Sequence, residues 1–437
     1  MVRMKLGSPK AGQKSGGSVF ANFAWLMFDR LGRMIINFVV GVAVARHLGP
    51  ADFGVLSYAT ASASIFAVFA GLGLDELLVR DLVRESEAGA TWRAAWQLRL
   101  AAALVAFGGV VVMTVLGRPD APQLWGVVAI VAVGLLFTPV DLVDSWFLAQ
   151  SRMRPPAMAR QAALWIAAAW RLVLVAVGAG LLAFAFAILI ESALVGAALL
   201  WVLRRSKGPI PSTASVATER RRLLTEGWPL MVSGLLVTVT MQADRLLLGR
   251  FCGDMAVGTY AVAARLTEVC YALPLALGAA VMPRLAVLYR EETAEYWRLA
   301  RRAFFGLGLV GLVGSGLASA LAAVLVPLIF GARYADSARI LAVHVWVLAF
   351  VFMVSMRSRM LVIEAGTRWV LSMSLLTALL NVGTNILLIP RHGAMGAAVA
   401  AVAAWAFSAL VAPWFFAATR RLNRNLLGLV APAQRPA

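Results

Sequence analysis

"ARHLGPADFGVLSYA", residues 45–59, lies without gaps on "GRFCGDMAVGTYAVA", residues 249–263, and that register decides how the chain is organised. Arg46 falls on Arg250, Gly49 on Gly253, Gly54 on Gly258 and Ala59 on Ala263, and in the same register Arg80 meets Arg284. Identity elsewhere in the window is low, yet each match sits at the corresponding end of the first or second hydrophobic run of its half. The pattern is that of one unit used twice.

Composition says what surrounds the unit. Of the 437 residues, 61% are hydrophobic and 14% charged, and the mean hydropathy is +0.83. Soluble domains carry about 45–50% apolar and about 25% charged residues, so this is the composition of an all-α polytopic membrane protein. A bilayer core of about 30 Å takes roughly 20 apolar residues per helix. Twelve such runs occur, at about 19–45, 53–79, 94–116, 122–149, 158–179, 181–203, 227–249, 255–283, 303–329, 338–362, 369–389 and 393–417. Only Gly178 and Gly180 divide the fifth from the sixth, whereas a charge or a proline marks every other gap. The basic stretch "MVRMKLGSPKAGQKSGG" precedes a run too long for a signal-peptide core, and this end is expected to be retained.

The polar stretch "RRSKGPIPSTASVATERRR", 204–222, splits the runs into six and six. The expected order is a basic cytoplasmic tail at 1–18, a six-helix lobe at 19–203, a cytoplasmic linker at 204–226, a second six-helix lobe at 227–417 and a tail at 418–437. Six helices between the copies give both lobes the same orientation, as parallel repeats about an axis along the membrane normal with a central cavity between them. Basic residues crowd one side: Lys5 and Lys10 in the tail, Arg80, Arg84, Arg93, Arg152, Arg154 and Arg160 in the gaps, then Arg204, Arg205, Arg220, Arg221 and Arg222. The other side has little beyond Arg46, Arg118, Arg250, Arg333 and Arg391. By the positive-inside rule both termini are cytoplasmic. The net charge of +19 is therefore mostly a topology signal, and basic residues scattered over short loops speak against a nucleic-acid partner.

Enzyme signatures are missing. There is no GxxxxGK[ST] loop to hydrolyse a nucleotide, no HExxH and no CxxC, and His47, His344 and His392 stand apart from one another. Cys252 and Cys270 are 18 residues apart in sequence, which is about 27 Å along one helix and too far for a disulfide. No metal or cofactor is expected.

Charges inside the runs remain. At 1.5 Å per residue, Arg30 lies about 15 Å, Arg171 about 16 Å, Glu191 about 15 Å and Arg265 about 18 Å from the ends of their helices, near the bilayer midplane. Charge at that depth normally faces protein or water. Arg30 and Arg33, Asp141 and Asp144, and Arg265 and Glu268 are spaced to share a face, while Asp29 and Arg33 can pair with each other. Arg171 and Glu191, at matching depth on adjacent helices, read as a structural ion pair. Arg30 and Arg265, on inner helices of the two halves, read as cavity groups. Arg245, Arg357 and Arg359 lie nearer the ends of their spans, where snorkelling to the interface explains them almost as well as function does, and Asn381 and Asn385 are spaced to hydrogen-bond across helices. Pro274 and Pro283 would kink the eighth helix.

"VARHLGPADFGVLSYATA", "LDELLVRDLV", "DLVDSWFLAQSRMR", "QADRLLLGRFCGDMAVGTYAVAARLTEVCYALP", "ILAVHVWVLAFVF" and "NILLIPRHGAMGAAVA" together resemble the Wzx-type polysaccharide (O-antigen) flippases. These belong to the multidrug/oligosaccharidyl-lipid/polysaccharide (MOP) superfamily, with the lipid II flippases and the cation-coupled multidrug exporters. The resemblance runs in order from residue 25 to about residue 416. It implies a V-shaped pair of six-helix lobes in the bacterial inner membrane, moving an undecaprenyl-pyrophosphate-linked oligosaccharide outward by alternating access. On that basis Arg30 and Arg265, helped by Arg33, would grip the pyrophosphate. Asp144, Asp244 or Glu268 could carry a coupling ion, Na+ or H+, or simply balance charge. Other polysaccharide-assembly proteins are implied as partners. Lipid II flippases typically have fourteen helices against the twelve runs here, a multidrug cavity should be acidic or aromatic, and a polymerase or ligase needs a large outer loop that this chain lacks.

Overall fold

The computed structural model describes residues 16–84, 89–206, 215–290, 294–364 and 367–429, so the first fifteen residues of the basic tail, 207–214 of the linker and 430–437 lie outside it. The first element, α1 (Gly16–Gly71), is two helices joined at Gly49, whose φ of 74° and ψ of 176° leave helical space. That φ suits a residue without Cβ, and Pro50, which has no N–H to offer, is pre-set to start the next helix. The chain folds back here. Asn37, Val40, Gly41 and Val44 before the turn line one cavity together with Phe53, Leu56, Ser57 and Thr60 after it.

After α1 come α2 (Leu74–Arg84), α3 (Gly89–Gly117), α4 (Pro122–Val133) and α5 (Leu142–Ala149). A tight 3-10 stretch, Gly134–Asp141, joins α4 to α5. The first half closes with α6 (Arg154–Ala176) and α7 (Leu181–Arg205). The second half is α8 (Val216–Cys252), α9 (Asp254–Val269), α10 (Ala272–Arg290), α11 (Ala294–Phe330), α12 (Ala335–His344), α13 (Val347–Ile363), α14 (Thr367–Ala406) and α15 (Ala417–Leu427). Gly253, between α8 and α9, takes φ 81° and ψ −178°, the break that Gly49 makes in the first half. The register of 45–59 on 249–263 is thus a repeat of backbone conformation as well as of residues.

Among the described residues, eight helical segments, some of them broken, are long and apolar enough to cross a membrane, and a ninth is added if α12 and α13, bent by 43°, are one span. Two expected spans share α1 on either side of Gly49, and two share α14 on either side of Gly393, where φ is 58°. The expected eighth span is divided between α9 and α10, and the divide falls at Cys270 and Tyr271, ahead of both Pro274 and Pro283. The second expected span stops early. Its helix ends at Gly71, and Leu74–Arg84 is a separate amphipathic helix that buries Leu74, Leu77 and Leu78. Asp75, Glu76, Arg80 and Asp81 make this segment too charged for hydrocarbon. The expected linker is also shorter than 204–226, since α7 reaches Arg205 and α8 begins at Val216.

The halves meet on glycine. A Cβ on Gly54 would collide with the carbonyl of Asp254, and one on Gly258 with the carbonyl of Pro50, a reciprocal contact across the pseudo-symmetry axis. Helices in a membrane associate through such close packing because lipid supplies no hydrophobic drive between them. Around this contact a clasp of polar bonds joins the halves. Arg118 grips Asp254 with both Nη atoms, at 2.5 and 3.1 Å. Arg46 donates to the Leu328 carbonyl at 3.2 Å, and Tyr334 donates to the Ala45 carbonyl at 2.9 Å. By the sidedness expected from the charge asymmetry, this end is called the outer end below. Toward the other end, α2 and α3 meet α8 through Arg80 to Glu226 at 2.5 Å, Arg222 to Asp81 at 2.8 Å and Thr91 to Glu219 at 3.0 Å. The flanks stay apolar: Val105, Leu116, Trp165, Val313 and Leu328 are each at least 60% exposed, as side chains facing lipid would be.

Candidate functional site

Two neighbouring chambers open inside the bundle, with cavity volumes of about 240 and about 380 Å³. The first lies under the outer clasp. Its walls are Asn37 to Val44 and Phe53 to Thr60 of α1, Arg171 of α6, and Phe184, Ile188, Glu191 and Ser192 of α7. One side chain from the second half, Arg265 of α9, completes it. At 1.5 Å per residue, Val44 to Asn37 place this chamber about 8–18 Å below the Gly49 turn. The second chamber continues away from the turn, past Arg33, Ser64, Ala67, Thr138, Asp141 and Arg160. Thr60, Ile188, Glu191 and Ser192 line both chambers.

Charge on these walls is distributed unevenly. Four arginines, Arg33, Arg160, Arg171 and Arg265, face Asp141 and Glu191. Arg33 is paired with Asp29 at 2.9 Å, Arg160 with Asp144, and Arg171 with Glu191. Arg265 alone of the four has no carboxylate within ion-pair distance among the described residues. Its Nη1 is buried without a hydrogen-bond partner. The guanidinium reaches across from the second half into the notch left by Gly41 on α1, where any Cβ would strike it, and stands 5.5 Å from the centroid of the Phe53 ring. An aromatic face eases the desolvation of a cation but leaves its N–H groups free for an anion.

The expected site residues fall in three places. Arg265, Arg171 and Glu191 come together in the first chamber, and Arg33 lines the second. Arg30 lines neither. It is exposed one turn beyond Arg33, on the α1 stripe that continues through Asn37, Gly41 and Val44. Asp144 lies behind the second chamber, bound to Arg160. Asp244 and Glu268 belong to a separate polar pocket in the second half. There Asp244 is 3% exposed and accepts from Tyr260 Oη at 2.5 Å and Asn385 Nδ2 at 2.6 Å, while Glu268 accepts from Arg245 at 2.6 Å. His344 meets Thr267 at 3.0 Å on the same side of α9.

Three readings of charge change. Arg160, expected among the loop charges, is 8% exposed and lines the second chamber, because α6 starts at Arg154 and carries it inward by more than a turn. Arg357 does not snorkel: it is 2% exposed, donates to the Ser408 carbonyl at 3.3 Å and to Asn423 Oδ1 at 3.2 Å, and stands over Phe304. Arg245 likewise turns inward to Glu268 and Gln242. Sequence spacing had also missed Arg99, 2% exposed, which pairs with Asp75 at 2.7 Å and donates to the Gly71 and Thr138 carbonyls.

Two related helical halves, with charged chambers that lie within the first half rather than centrally between the lobes as expected and that take one arginine, Arg265, from the second, define a multi-pass membrane protein with a transporter fold. Comparison with solved structures agrees. The lipid II flippase MurJ in an inward closed conformation has a TM-score of 0.71 at 12% identity, covering 93% of this chain and 89% of that one. An inward-facing multidrug resistance MATE family transporter of the MOP superfamily gives 0.64 at 16% identity, covering 91% and 96%. A MOP superfamily transporter from Pyrococcus furiosus, described as having a binding pocket of reverse polarity, gives 0.65 at 15% identity, covering 93% and 96%. No curated protein matches the sequence. Residues 19–288 match the family described as "Polysaccharide biosynthesis protein", and the chain belongs to that family.

Proposed function

We propose that the protein is a flippase that carries an undecaprenyl-pyrophosphate-linked oligosaccharide across the bacterial inner membrane by alternating access. It crosses twelve times, with α1 and α14 counted twice and α9–α10 and α12–α13 once each, and both termini are cytoplasmic. The observation that carries the reading is Arg265, a buried guanidinium with no carboxylate of its own, aimed into a chamber beside Arg171. A pyrophosphate entering low-dielectric surroundings needs fixed positive charge and N–H donors in place of its water, and an arginine fork supplies both. Asn37, Ser57, Thr60 and Ser192 offer further polar contacts in the same chamber. Arg33 and the exposed Arg30, below it on one stripe of α1, form the approach.

The family match and the transporter fold support the reading, as does the closed outer clasp over a chamber that extends inward. A multidrug exporter fits less well, because among the described residues the one charge of the first chamber without an ion-pair partner is positive. Asp244 is the group in the second half placed to hold a coupling ion, Na+ or H+, since Tyr260 and Asn385 orient its carboxylate in a buried pocket beside Glu268. Arg265→Ala should abolish export of the lipid-linked glycan in cells without lowering protein abundance. Export that persists in an Arg30→Ala/Arg265→Ala double variant would disprove the grip.

A further inference from the structure

We infer that Glu191 is an internal counter-anion that occupies Arg171 in the empty chamber and yields it to the anionic head of the substrate. The inference rests on the anion-carrying reading of the chamber and assigns a role within it. A purely structural ion pair would be set back between helices. Arg171 and Glu191 instead both line the first chamber, and Glu191 lines the second as well, at the boundary that a ligand passing between them must cross.

The pair is also built to open. Its one contact joins Arg171 Nη2 to Glu191 Oε2, and neither side chain has another hydrogen bond or ion pair among the described residues. Asp244, by contrast, is held by two donors and is nearly sealed from solvent. One rotamer change at Glu191 therefore frees Arg171 without stripping the carboxylate of a network. Once it is freed, Arg171 and Arg265 present two forks to one chamber.

Transport explains why such a group belongs here. A carrier must bind well enough to load and weakly enough to unload, and two permanently bare arginines would hold a pyrophosphate too tightly. A carboxylate that competes for one of them lowers the affinity and restores the empty state when the substrate leaves. It also spares the empty chamber a second uncompensated buried cation.

The test uses the full chain in lipid nanodiscs, with farnesyl pyrophosphate as the probe and calorimetry for affinity. Glu191→Gln should bind about tenfold more tightly than wild type, while its turnover of lipid-linked oligosaccharide in proteoliposomes falls. A merely structural pair predicts no gain in affinity, so folded Glu191→Gln that binds equally or more weakly overturns the inference. If that variant does not fold, Glu191→Asp, which keeps the charge but reaches Arg171 less well, replaces it with the same expected direction and the same overturning result. Arg265→Ala separates the two levels. If it abolishes binding while Glu191→Gln gains nothing, the chamber reading stands and this inference falls; if it changes nothing in either background, the chamber reading itself fails.

Discussion

Arg118 and Asp254 should hold the outer end closed, and the strength of that hold can be worked from their geometry. The two Nη–Oδ contacts are 2.5 and 3.1 Å, with side chains 13% and 25% exposed. Unit charges about 4 Å apart attract by about 4 kcal/mol at an effective dielectric of about 20. Desolvation and partial exposure leave a net of about 1–2 kcal/mol for a two-pronged arginine–carboxylate pair. Arg118→Ala should therefore shift the balance between closed and open outer ends by about 5- to 30-fold. Asp254 also stands in the first turn of α9, where a negative charge favours the helix, so the arginine variant isolates the pair more cleanly. Spin labels at Asp120→Cys and Met255→Cys, with Cys252 and Cys270 replaced by serine, flank the clasp. Pulsed dipolar spectroscopy should show the short-distance population shrinking in Arg118→Ala and recovering partly in Arg118→Asp/Asp254→Arg. An unchanged distance distribution in folded Arg118→Ala would refute the clasp.

Gly54→Val should weaken the contact between halves by about 1–3 kcal/mol, because the new side chain meets backbone of α9 that cannot swing aside, and thermal unfolding in detergent reads the loss. Gly258→Val should cost about the same, and the double variant less than the sum of the two, since both strain one contact. Asp244→Asn should stop transport while leaving farnesyl pyrophosphate binding in the first chamber within about twofold, as its pocket is separate; equal loss of binding would contradict the division of labour. Arg357→Ala removes the partner of Asn423 and should cost about 1–3 kcal/mol of local stability, exposing α15 to proteolysis near residues 417–427.

The repeat was legible from a handful of residues because its demands are local. Gly49 and Gly253 need a left-handed φ, and Gly54 and Gly258 need room for a neighbouring backbone, so these positions keep glycine in both halves while the rest of the window diverges. Most run positions were legible from hydropathy, but several boundaries were not: α8 begins at Val216, the eighth run breaks at Cys270 and Tyr271, and at Leu74–Arg84 leucines at helical spacing merged with the preceding apolar run although the charges between them mark an interfacial helix. Arg265 was picked out by its position within an apolar run and does line the first chamber, but the facing of the other charges was not readable. Spacing placed Arg30 and Arg33 on one face, yet which turn of that face reaches the chamber depends on where α6 and α7 pack. Arg160 hid among loop charges because its helix starts earlier than hydropathy suggested, and Arg99 and Arg357 hid because carbonyl partners leave no trace in sequence. Gly41, the notch that admits Arg265, looked like any glycine in a membrane helix.

The most direct measurement is transbilayer movement of a fluorescent undecaprenyl-pyrophosphate oligosaccharide in proteoliposomes, scored by access of an external quencher. Wild-type protein should speed that movement well above protein-free vesicles, Arg265→Ala should slow it at least about tenfold at equal reconstitution, the effect of removing about 1.4 kcal/mol of binding, and Arg265→Lys should recover part of the rate. Movement in Arg265→Ala vesicles at the wild-type rate would contradict the account.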